Sequence, residues 1–224
     1  MTQTPRRKCF VYIDGFNFYY GIFKDKPEWK WLDISKFCKS LRSLEVVSVR
    51  YFTAVIDEEI SYSPKKDRQQ KFLSALRTTP DLEIIYGKFQ PRLSRCRATC
   101  CEEYSDPKEK KTDVNIAVRM MDDCITDKPD TIILISSDSD LEPAVAWVHR
   151  VFPEIEIIVY LPNLPGDPNP RRNDYYGGIG VPCGDLPCGR IPDSQFRTAV
   201  RLSENPLRVA CRPDEWVAEY VEPN

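Results

Sequence analysis

Along the first 161 residues, short apolar runs alternate with stretches of helical spacing. The run KCFVYID (Lys8–Asp14) predicts a buried strand that ends in a carboxylate. Runs at Glu45–Ile56, Leu82–Phe89, Asp130–Ser136 and Glu154–Leu161 are equally rich in β-branched and aromatic residues and predict four more strands. Between them, Ile34, Phe37, Cys38 and Leu41 recur at helical spacing in Asp33–Leu41, and Phe72, Leu73 and Leu76 do so in Pro64–Arg77. Thr112–Thr126 and Ser139–Val151 read as two further helices, the second opened by a capping-box pattern of Ser139 with Glu142. Gln90–Lys111 reads as a long polar connection. Strands that alternate with helices predict an α/β fold, a parallel Rossmann-like sheet of about five strands covered on both faces. Beyond Leu161 the chain becomes rich in proline and glycine. The expected organisation is therefore a domain over residues 8–161 and an irregular extension over 162–224, packed on the domain or wrapping it.

Composition narrows the function classes. The chain has 224 residues, 42% of them hydrophobic, enough for one substantial core. A formal net charge of -2 excludes a broadly basic nucleic-acid binder, so contact with such a ligand would need a local patch. Nine cysteines follow a start (MTQTPRRK) that lacks the apolar stretch of a signal peptide, which predicts reduced thiols and a cytoplasmic location. No apolar run approaches the length of a membrane span, so no membrane partner is expected.

The acidic residues carry the chemistry. In open α/β sheets, ligands bind beyond the carboxyl ends of the strands. Asp14 ends the first strand, and Asp138 and Asp140 follow the fourth. Asp113 lies at the start of a helix that Thr112 can already cap. Stepping from Asp113 along its face reaches Ala117, Met120 and Cys124, so this carboxylate is placed toward the core, where it needs a partner. Asp122 and Asp123 read as ordinary solvated charges. Four converging carboxylates repel one another, and hard oxygen donors suit Mg²⁺ or Mn²⁺, ions that serve phosphodiester hydrolysis.

The blocks FVYIDGFNFYYG, KKTDVNIAV and ILISSDSDLEPAV, in this order, resemble the NYN domain, in the LabA-like branch of the PIN-like nucleases. The resemblance covers about Lys8–Leu161. It implies a PIN-like fold and metal-dependent ribonuclease activity. It also implies Asp14, Asp113 and Asp138 as metal ligands, Asp140 as a further ligand or as an acid just behind the ligands, and Asn17 as a polar catalytic residue that orients water or phosphate. Ser137 stands where that family commonly has glycine. The choice of RNA, and of single strands, rests on the resemblance alone. An inactive module that binds RNA or a regulatory partner is the alternative. The oligomeric state is left open, a homo-oligomer included.

Lys88, Arg92, Arg95 and Arg97 form an acid-free stretch that leads toward Asp113, and Lys111 lies closer still; these are the candidate phosphate contacts. Phe16, Phe18, Tyr19 and Tyr20 offer rings for base stacking or for the core. Cys96, Cys100 and Cys101 are a candidate structural zinc site, although CxxxCC departs from the usual CxxC spacing. A lone histidine, His149, argues against a Ser/His/Asp hydrolase, and the lack of a P-loop or GxGxxG argues against a nucleotide cofactor. An aspartyl-phosphate phosphatase would need Asp-x-Asp after the first strand, where this chain has DGFN.

Overall fold

The computed structural model describes residues 7–24, 32–41, 44–55, 64–90, 93–95, 103–105, 108–162 and 188–190. Strand β1 (Lys8–Asp14) runs into α1 (Gly15–Phe18), which continues as a wider turn over Tyr19–Phe23. Next come α2 (Ile34–Leu41), β2 (Glu45–Thr53), α3 (Pro64–Leu76) and β3 (Leu82–Tyr86). Four short strands follow: β4 (Lys88–Gln90), β5 (Leu93–Arg95), β6 (Glu103–Ser105) and β7 (Lys108–Lys110). The chain then forms α4 (Thr112–Thr126), β8 (Thr131–Ile135), a tight turn at Ser139–Leu141, α5 (Glu142–Val151), β9 (Glu156–Leu161) and β10 (Cys188–Arg190).

Six strands form one sheet in the order β10-β9-β8-β1-β2-β3, and each neighbouring pair is parallel. Both faces are covered, which is why the strands read as continuous apolar runs. Along β1, Cys9, Val11 and Ile13 enter the core shared with α2 and α3. Phe10 and Tyr12 enter the core shared with α4 and α5. This alternation carries Asp14, the next even position, to the α4 side of the carboxyl edge. The α/β, PIN-like arrangement expected from the sequence is thus present, with one strand more. That strand, β10, lies in the stretch read as an irregular extension: it pairs along Val159–Leu161 and covers the edge that β9 would otherwise leave open.

Two other expectations change. Leu82–Phe89 is not one strand: β3 ends at Tyr86, and β4 leaves the main sheet to pair antiparallel with β7. Gly87 makes the departure possible, because a Cβ there would lie 2.5 Å from Thr112 Oγ1 at the start of α4. The stretch read as a long polar connection folds back on itself, β4 against β7 and β5 against β6.

Asp123 corrects a third reading. It is not a solvated charge but lies on the buried face of α4, only 1% exposed. Its carboxylate accepts from Tyr12 OH at 2.6 Å and from Arg50 through Nε at 2.5 Å and NH2 at 2.8 Å. Arg50 also pairs with Glu83, which Arg119 reaches at 3.1 Å. One carboxylate thereby ties α4 to β1 and β2, the elements on either side of the acidic edge.

Candidate metal centre

Asp14 is 2% exposed at the carboxyl end of β1. Its Oδ1 accepts from the Phe16 and Asn17 amides at 3.1 and 3.0 Å and so caps α1. Its Oδ2 accepts from Asn17 Nδ2 at 2.6 Å and Ser136 Oγ at 3.1 Å. The sheet register explains the second contact: Ile13 pairs with Ile135, so Asp14 and Ser136 are the next residues on adjacent strands. Gly15 is required where the chain turns, since a Cβ there would stand 2.5 Å from the Phe52 carbonyl. Burial pushes the proton affinity of Asp14 up, while Asn17 and Ser136 hold it down.

Asp138 follows β8 and caps the turn at Ser139–Leu141, with its Oδ1 accepting from the Asp140 amide at 3.0 Å. The cap is therefore Asp138 rather than Ser139, because a tight turn precedes α5 where one continuous helix was expected. Asp113, half-buried in the first turn of α4, comes from the other side. One oxygen each from Asp14, Asp113 and Asp138 lies within 4.8 Å of the others. Asp140 is exposed and stands outside this triad, although its charge acts on Asp113.

A fifth acid was not anticipated. Glu109, in the middle of β7, is half-buried, and its Oε1 has no hydrogen-bond partner among the described residues. Burial and the charges of Asp113 and Asp14 push its carboxyl up from 4.5 to about 7, with Thr112's backbone amide offsetting part. Burial and the charges of Asp138, Asp14 and Asp140 push Asp113 up from 3.8 to about 6. The named charges acting on Asp113 are thus all negative. A set of hard oxygen donors held under mutual repulsion fits a divalent cation such as Mg²⁺ or Mn²⁺.

The folded chain holds these two protons more tightly than the unfolded chain, so ionisation subtracts stability as pH rises through about 4 to 7. Asp81, whose carboxyl is held low by Lys39 and Ser35, has the opposite sign, and its contribution is lost only below its ordinary range. Metal-free protein is therefore expected to melt higher at pH 5 than at pH 8. Mn²⁺ is expected to raise the melting temperature more at pH 8 than at pH 5, where protons compete for the same oxygens. Thermal melts in EDTA and in Mn²⁺ at the two pH values check both statements.

Asn17 spans the gap between two strand ends: its amide donates to Asp14 and its Oδ1 accepts from Ser137 Oγ at 2.8 Å. Ser136 also accepts from the Asp138 amide at 3.1 Å. The serine pair before Asp138, whose role was not read from the sequence, thus supports both strand-end acids. Lys88 is exposed and pairs in register with Lys110, on the face of the β4–β7 ladder opposite Glu109. Lys111 is exposed and adopts a left-handed φ of 77° just before α4. Phe16 meets Phe89 edge to face, Phe18 is buried, and Tyr19 and Tyr20 are exposed. His149 is half-buried on α5. Arg92, Arg97, Cys96, Cys100 and Cys101 lie outside the described residues, as does the side chain of Arg95. No helix among the described residues is long and apolar enough to cross a membrane.

The family model of the NYN domain matches residues 8–168. A Pseudomonas putida protein named 6-hydroxy-3-succinoylpyridine 3-monooxygenase is 29% identical over 184 residues, a match that covers 68% of this chain. The chain spans 58% of the length of that curated relative. A crystal structure of a Vibrio parahaemolyticus protein of unknown function superposes with a TM-score of 0.53 at 19% identity, over 86% of this chain and 98% of the other. That likeness concerns the fold alone.

Proposed function

The chain belongs to the NYN domain family, and from that premise we propose that it is a metal-dependent ribonuclease that hydrolyses phosphodiester bonds of single-stranded RNA. The observation that carries this reading is the meeting of Asp14, Asp113 and Asp138 within 4.8 Å at the carboxyl edge of the sheet. These three side chains would hold the ion. A bound Mg²⁺ or Mn²⁺ supplies a Lewis acid for a phosphate oxygen and a water that ionises near neutral pH. Asn17, Ser136 and Ser137 keep the strand-end acids in register through the bonds described above. Asp140 adds negative charge from the rim of the site. Lys88, Arg92, Arg95, Arg97 and Lys111 are the proposed phosphate contacts, and zinc at Cys96, Cys100 and Cys101 is the proposed structural use of those thiols.

The Pseudomonas putida relative favours a second reading, an oxygenase acting on a substituted pyridine. The donor set favours the first. Three carboxylates are the company of Mg²⁺ and Mn²⁺, whereas non-haem iron oxygenases use two histidines and one carboxylate, and this sequence contains a single histidine. The test is a labelled single-stranded RNA incubated with the full chain in Mg²⁺ or Mn²⁺, beside EDTA and the Asp138→Asn variant. Asparagine retains the capping acceptor, so the variant removes charge and leaves the turn intact. Cleavage that needs metal and disappears in the variant is the expected result. RNA that binds but stays intact with folded protein would move the reading to a binding module.

A further inference from the structure

The helical segment that Asp14 caps sorts its rings. Phe18, Ile22 and Phe23 are buried in the core, and Phe16 packs on Phe89. Tyr20 stays at the surface, 60% exposed, beside the half-exposed Tyr19. Tyr20 follows Phe16 by four residues and Asn17 by three, so the three share one side of the helix. Asn17 is the residue whose side chain donates to Asp14 and accepts from Ser137. Lys24 comes four residues after Tyr20, and its ammonium stands 5.9 Å from the centre of the Tyr20 ring. Leading away from the metal centre, one side of this segment thus presents an amide, an exposed ring and an exposed cation in turn.

The backbone beneath the ring is held. The Lys24 amide donates to the Tyr19 carbonyl at 2.9 Å, five residues back, and closes a wide turn of a kind frequent at functional sites. Gly21 stands in this turn because a Cβ there would collide with the Pro162 carbonyl, just beyond β9. The Tyr19 ring meets that of Tyr20 edge to face at 5.3 Å and steadies it.

An exposed aromatic face beside a cation suits a single-stranded nucleic acid, whose base stacks on the ring while its phosphate pairs with the charge. We propose that Tyr20 is a base-stacking platform for single-stranded RNA on the approach to the metal centre, with Lys24 meeting a phosphate of the same strand. The proposal rests on the ribonuclease reading and deepens it: only an unpaired base can lie on the ring, so Tyr20 selects single strands over duplex. In the free protein the Lys24 ammonium lies over the ring. A base takes that place, and the flexible lysine stem carries the charge to the phosphate.

The test is fluorescence anisotropy of a labelled single-stranded oligoribonucleotide titrated with the full chain in Ca²⁺, beside an abasic strand of equal length, in wild type, Tyr20→Leu, Tyr20→Phe and Lys24→Ala. The expected result is at least about fivefold weaker RNA binding in Tyr20→Leu, the loss of one stacked base. Tyr20→Phe keeps the wild-type affinity, because a ring face suffices, and the abasic strand binds wild type and Tyr20→Leu alike. Lys24→Ala lowers the salt dependence of binding by about one ion, whereas Tyr20→Leu leaves it unchanged. Wild-type affinity in Tyr20→Leu, or an equal loss on the abasic strand, would overturn the role of Tyr20 and leave the metal-centre reading standing. A wild-type dimer that Tyr20→Leu dissociates at unchanged RNA affinity would likewise overturn it, assigning the ring to a second copy of the chain. Wild-type protein that binds no RNA would take both down. Weaker binding in Tyr20→Leu beside a wild type that never cleaves in Mn²⁺ would keep the platform and sink the ribonuclease.

Discussion

Asp113→Asn is expected to cut metal-dependent RNA cleavage by at least about 100-fold, an effect of the several kcal/mol that a bound cation contributes to transition-state charge. The same variant is expected to make the metal-free protein more stable at pH 8. These outcomes are opposed, and their opposition is the useful part. A residue that merely held α4 in place would lose stability and activity together. Asp113 is half-buried and, with its proton affinity raised to about 6, stands ionised at pH 8 against the charges of Asp138, Asp14 and Asp140. An amide removes that repulsion and keeps the side chain's volume. Thermal melts in EDTA at pH 8 and initial cleavage rates in Mn²⁺ measure the two effects. A metal-free melting temperature lower than that of wild type would mean that the carboxylate serves the fold.

Asp123→Asn is expected to destabilise the protein by about 3–5 kcal/mol, the usual result of removing one partner of a buried ion pair. For a chain of this size that corresponds to a fall in melting temperature of roughly 10 °C. The cause is what stays behind. Arg50 is 5% exposed and keeps its charge, its guanidinium stacked 5.3 Å over the Phe10 ring. It would face an amide in place of a two-pronged carboxylate, and Tyr12 would lose a charged acceptor. Removing the whole cluster should cost far less than removing one member. Arg50→Met, Asp123→Leu and Tyr12→Phe combined are expected to recover much of the lost stability, because apolar side chains of similar volume leave no orphaned charge. Urea denaturation of the single and triple variants checks this; a triple variant weaker than Asp123→Asn would show that the network contributes net stability as a unit. The acidic edge should feel the single variant as well, since Asp123 anchors the helix that presents Asp113.

The strands and helices of the domain were legible because their signal is local. Five apolar runs and four periodic stretches each specify an element within about a dozen residues. The placement of Asp14 and Asp138 followed from a general rule of parallel sheets, that the carboxyl ends of neighbouring strands share an edge. The inward face of Asp113 followed from helical spacing alone, and Met120 and Cys124 are buried as that spacing requires. Glu109 was not legible. Its neighbours are lysines, and its inward direction depends on pairing with Phe89, twenty residues earlier in the chain, across a stretch that reads only as a polar connection. Asp123 was misread for a similar reason: its partner Arg50 lies 73 residues away. An acid at that helical position is solvated unless a distant cation is brought to it.

The sequence by itself determined the layered α/β plan and the side of the sheet on which the chemistry sits, because periodicity and strand polarity are properties of contiguous residues. Tertiary structure alone decided which acids meet. It drew Asp14, Asp113 and Asp138 together and left Asp140 at the rim. It bound Asn17 between two strand ends and turned one glutamate of a basic run inward. Those outcomes depend on register and on contacts between residues far apart in the chain. A side chain's own identity carries no information about the partner that the fold will set beside it.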